Sequence, residues 1–167
     1  MRLLKFIMIL GLVLFGFQSC ETYDDMDVEY SPIFPLSGEW YVNIYDAATG
    51  QMIPDGDGYS CNTYNTSAND ADKMWVKLST AAAPFGVVGK VNCDPQTKTF
   101  SIENGVNTLS TVNSGFTLSE GTVVLNGYDT PTGGKADAIQ FKLKTDKSAM
   151  TYLIKGFRKT GWEDDEE

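Results

Sequence analysis

From Leu36 onward, apolar residues recur at every second position and no helical period is sustained. In 36–45, Leu36, Trp40, Val42 and Ile44 share one face, opposed by Glu39, Tyr41, Asn43 and Tyr45. In 73–78, Met74, Val76 and Leu78 alternate with Lys73, Trp75 and Lys77. Val87, Val91 and Cys93 share a face, and Asp94-Pro95-Gln96-Thr97 reads as a turn leading to Phe100 and Ile102. In 138–144, Ile139, Phe141 and Leu143 alternate with Ala138, Gln140, Lys142 and Lys144. The turn Thr145-Asp146-Lys147-Ser148 leads to a last strand from Ala149 to Arg158. Further strands are expected at 59–66, at 115–119 and from Val123 to Leu125, which makes eight or nine. A helical turn is expected only at Thr80 to Ala83, stopped by Pro84. Short strands with one polar face and no crossover helices predict an all-β antiparallel up-and-down meander. About 130 residues so built form a sandwich or a closed barrel, since closure removes exposed edges.

The 167 residues carry 22 acids, 13 bases and no histidine, for a net charge of −9. Without histidine there is no Ser-His-Asp or Cys-His dyad, no histidine-ligated zinc and no imidazole acid–base chemistry. The negative charge argues against a nucleic-acid partner. Most of it lies at the two ends. Residues 21–31 hold five acids and 163–167 five more, whereas 32–162 hold 12 acids and 11 bases. A near-neutral domain is thus flanked by acidic, solvated tails.

Arg2 and Lys5 precede the apolar run Phe6 to Phe17. As a helix, those twelve residues would span about 18 Å, short of the roughly 30 Å hydrocarbon core. This is the layout of a secretory signal over 1–19. Phe17-Gln18-Ser19-Cys20 resembles a bacterial lipobox, with Phe17 where leucine is usual, which implies acylation of Cys20. More than one acyl chain on that cysteine would give stable membrane anchoring. Glu21-Thr22-Tyr23-Asp24-Asp25 resembles the export signal of surface lipoproteins in Bacteroidetes, and a plain acidic tether over 20–35 accounts for it as well. The expected address is the cell envelope, as an outer-membrane lipoprotein, on either face of that membrane.

Gly38-Glu39-Trp40 resembles the Gly-x-Trp opening of the lipocalins and related calycins. That resemblance favours an eight- or nine-stranded calycin barrel over 36–162, followed by an acidic tail at 163–167. It also implies that Gly38, Trp40 and Arg158 close one end, with the arginine lying across the indole. Lys155-Gly156-Phe157-Arg158-Lys159-Thr160-Gly161-Trp162 is similar to the ending of a Bacteroidetes lipoprotein family catalogued as "lipid-binding putative hydrolase". Thr63 to Ser67 and Asp137 to Phe141 fit the same family. Phe157 stands where that family usually has histidine, and Trp162 where it has phenylalanine. If the histidine underlies hydrolysis, this chain lacks it.

Few other residues suggest chemistry. Asp55-Gly56-Asp57-Gly58 invites a calcium reading, but the twelfth position of an EF-hand-type loop is Thr66, so a hairpin turn is expected instead. Glu39, Glu103, Glu120 and Asp137 could serve as paired carboxylates, though no spacing places two on one wall. No Ser-x-x-Lys, Gly-x-Ser-x-Gly or P-loop is present. Cys61 and Cys93 fall on strands flanking the one at 73–78, about 9–10 Å apart at 4.8 Å per strand. A disulfide needs Cα atoms about 4.4–6.8 Å apart, so two separate thiols are expected unless the strand ends converge.

These readings predict a non-catalytic, lipid-anchored barrel without cofactor or metal that takes a small apolar or amphipathic ligand. The expected cavity wall is Val42, Ile44, Met74, Val76, Phe100, Ile102, Ile139, Phe141 and Leu143, all of inward parity together with Trp40 and Leu78. An eight-stranded barrel encloses either a filled core or room for one small ligand. In the filled case the outward aromatics Tyr41, Tyr45 and Trp75 point to a surface module contacting protein or glycan. A carboxylate hydrolase is the third reading.

Overall fold

The computed structural model describes residues 29–78, 82–109 and 114–165. The expected signal segment 1–19, Cys20, most of the expected tether, Thr80 and Ala81 of the expected helical turn, and the last two acids lie outside the described residues.

The chain is all-β. Its strands are β1 (Gly38–Asp46), β2 (Tyr59–Asn65), β3 (Lys73–Leu78), β4 (Val87–Asp94), β5 (Thr99–Val106), β6 (Gly115–Asp129), β7 (Lys135–Thr145) and β8 (Thr151–Arg158). Each pairs antiparallel with the next, and β8 returns to β1, closing an up-and-down, lipocalin-like barrel. The alternation explains the closure. Every strand offers one apolar face, and only a closed cylinder buries all of them without leaving an open edge.

The expected strands at 115–119 and 123–125 prove to be one, the fifteen-residue β6. Glu120 and Asn126 both sit at φ 53°, and each coincides with a register shift against β7. Such bulges insert an extra residue and bend the strand, so parity slips twice along β6 and its sequence reads as two pieces.

Both barrel ends are closed by side chains. At the end where β1 starts, Trp40 is fully buried and its indole N–H donates to Thr63 Oγ1 at 2.8 Å. The Thr63 hydroxyl in turn donates to the Leu36 carbonyl at 2.5 Å. The Arg158 guanidinium lies 4.6 Å from the indole centroid, bonds Asp137 Oδ2 through Nε at 3.0 Å and donates to the Ser37 carbonyl. Gly38 leaves room beneath it, since a Cβ there would fall 3.0 Å from the Arg158 guanidinium carbon. At the other end the β3–β4 loop drops Phe85 edge-on between Tyr59 and Tyr152, with centroids 5.0 and 5.5 Å away. The Thr145 hydroxyl donates to the Pro84 carbonyl and holds that loop down.

Candidate functional site

The nine residues expected as a cavity wall sit in one continuous apolar cluster inside the barrel. Val42, Ile44, Met74, Val76, Phe100, Ile139, Phe141 and Leu143 are buried, and half-buried Ile102 packs against them. Aromatic rings fill the lumen. Phe100 meets Phe141 edge-on at 5.7 Å. Phe116 lies so close to the wall that a Cβ on Gly89 would stand 2.6 Å from its Cζ and closer still to Cε1. Phe100 crowds Gly121 to the same degree. The glycines are where the wall makes room for these rings, and the interior is a packed core.

Outside, the same register builds a cleft of about 530 Å³ over β1, β8, β7 and β6. Two ladders of outward side chains cross it. Tyr41, Phe157, Ala138 and Val124 are consecutive cross-strand neighbours, and Asn43, Lys155, Gln140 and Thr122 form the next row. The first row is apolar and the second polar. Ala138 and Ala136 leave space above the sheet, so the Tyr128 ring lies flat on Phe157, 4.2 Å between centroids and 4° between planes. Tyr41 leans on Phe157 from the other side at 5.6 Å. Phe157 is only 5% exposed although it points away from the barrel axis. At the polar end Lys155 Nζ lies 5.9 Å from the Tyr45 ring centroid. Small-molecule sites of roughly 300–1,000 Å³ combine this kind of apolar wall with a few fixed polar groups.

A second, smaller hollow of about 380 Å³ lies on the opposite outer wall, beside Trp75. Tyr64 stacks on Trp75 with centroids 6.4 Å apart, Lys90 Nζ sits 5.3 Å from the indole, and Val106 is 73% exposed nearby.

The candidate carboxylates are dispersed. Glu39 meets Ser60 and Lys159, Glu120 pairs with Lys142 and Asp137 pairs with Arg158. Glu103 lies exposed on β5. Asp55 to Gly58 forms a turn laid against β1, where the Ile44 N–H donates to the Gly56 carbonyl and the Gly58 N–H to Asn43 Oδ1. Cys61 and Cys93 are free thiols on β2 and β4, either side of β3. Burial pushes the Cys61 thiol up to about 12. Burial, then the carboxylates of Asp72 and Asp94, push Cys93 up to about 11.

Sequence parity placed Tyr41 and Tyr45 on the outer wall but missed the partners that make it concave. Phe157 and Tyr128 became visible only with the register of β8 between β1 and β7. The outward parity of Phe157, opposite to Ile154, was the available signal. No curated protein matches the chain. A family model described as "Lipid-binding putative hydrolase" matches residues 25–163, and the chain belongs to that lipid-binding family.

Proposed function

We propose that this chain is a non-catalytic envelope lipoprotein, anchored through acylated Cys20, that holds an amphipathic, lipid-like molecule in the outer cleft. Membership of a lipid-binding family supports a lipid-like ligand. One observation carries the choice of site: the lumen is occupied by its own rings, while the wall over β1, β8, β7 and β6 offers an apolar row beside a polar one. Covering roughly 300 Å² of ligand surface at about 25 cal/mol per Å² contributes about 7 kcal/mol before association costs. Affinity is therefore micromolar or weaker. A neutral diazirine-bearing alkyl alcohol, photolysed with the full chain in phosphatidylcholine vesicles, tests this. Saturable adducts are expected on peptides carrying Tyr41, Val124, Tyr128 or Phe157. Adducts confined to lumen residues such as Met74 and Phe141, or no saturation at all, would overturn the assignment.

A second reading rests on the other wall, where the stacked Tyr64 and Trp75 under Lys90 suit contact with a protein or glycan. Replacing both rings by alanine should leave the photolabelling intact while removing any glycan or protein binding. Loss of labelling in that variant would tie the two walls into one site.

A further inference from the structure

We infer that the outer cleft selects a single-chain amphiphile with an anionic head, a fatty acid, through Lys155 and Asn43. The inference deepens the proposed function and rests on the cleft being the ligand site. The polar row at the cleft's far end carries one ammonium and neutral groups able to donate. Lys155 is its centre, flanked by Asn43 on β1 and Gln140 on β7. Among the described residues no carboxylate lines the cleft. In the neighbouring ladder, Glu120 is bound to Lys142 at 2.7 Å. Among the described residues Lys155 has no ion pair, and its ammonium rests near the Tyr45 ring.

Asn43 supplies the second donor because its amide is oriented. The Gly58 N–H donates to Asn43 Oδ1 at 3.0 Å, from a turn residue at φ 73° that glycine adopts without strain. With the carbonyl oxygen engaged there, the Nδ2 amino group is the end left for the cleft. An ammonium and an amide donor beside an aromatic wall match a carboxylate with an alkyl chain. A neutral alcohol head makes weaker hydrogen bonds to the same groups, and a cationic head is repelled.

The test uses the full chain in phosphatidylcholine vesicles and the neutral diazirine alcohol as reporter, with dodecanoate and 1-dodecanol as competitors. Dodecanoate should compete about three- to tenfold better than dodecanol, the range of an exposed charge-assisted contact. Lys155→Met should abolish that preference by weakening dodecanoate far more than dodecanol, and Lys155→Arg should restore it. Asn43→Asp retains an oxygen for the Gly58 N–H but replaces the donor by a negative charge, so it should reverse the preference. Raising sodium chloride from 0.1 to about 0.5 M should narrow the wild-type preference by screening. Equal competition by acid and alcohol, or a preference unchanged in Lys155→Met, would overturn the anionic selectivity and leave the cleft standing. Failure of both competitors against a saturable label would sink selectivity and cleft together.

Discussion

Trp40→Ala should be among the most damaging single changes in the barrel, because it opens the closed end from inside. The indole is fully buried, bonded to Thr63 and covered by Arg158. Large aromatic truncations in cores cost about 3–5 kcal/mol, and this one also removes the donor to Thr63 Oγ1. Arg158→Met retains much of the stem but loses the guanidinium over the ring and the bond to Asp137, whose side chain is 20% exposed. We expect about 1–2 kcal/mol from that change, less than from Trp40→Ala. The informative quantity is the coupling. A partly desolvated cation–ring contact at 4.6 Å should make the double variant less damaged than the sum of the singles by about 1 kcal/mol. Urea denaturation of the full chain, followed by circular dichroism so that loss of the indole does not erase the signal, gives all three values. Additivity to within about 0.4 kcal/mol would mean that Arg158 and Trp40 do not stabilise one another, and would refute the closed-end account.

Gly89→Ala should destabilise by about 1–3 kcal/mol, since its Cβ meets the Phe116 ring, and Phe116→Leu should recover part of the loss; no recovery in denaturation midpoints would argue against a filled lumen. Cys61 and Cys93 should resist iodoacetamide at pH 8 in the native chain and both react in denaturant without reductant. Burial holds the Cys61 thiol protonated while the unfolded thiol ionises near its ordinary 9.0. Its contribution is therefore complete below pH 9 and declines as pH rises from 9.0 toward about 12, and Cys61→Ala should flatten that part of the stability–pH curve. Cys20→Ser should abolish incorporation of labelled palmitate; continued labelling would remove the lipoprotein reading.

The inward faces of β1, β3 and β7 were legible because each strand alternates without interruption and buries one side. β6 was not, because Glu120 and Asn126 break its period with left-handed residues whose side chains give no warning. Asn104, at φ 54°, does the same in β5 and leaves Ile102 half-buried. The cleft was less accessible still. Its parts are spread from Tyr41 to Phe157 and meet only through the β8–β1 closure, a pairing between the two ends of the domain that local pattern does not encode. In the fold Phe157 is the ring on which Tyr41 and Tyr128 rest, a role that local pattern around it does not announce.

The central claim, that the ligand lies on the outer wall of a filled barrel, is tested most directly by a crystal structure of the full chain with dodecanoate. The alkyl chain should lie along Val124, Tyr128 and Phe157 with the carboxylate toward Lys155, and the lumen should remain closed between Trp40 and Phe85. An alkyl chain inside the barrel against Met74 and Phe141, with Phe85 displaced from between Tyr59 and Tyr152, would contradict it.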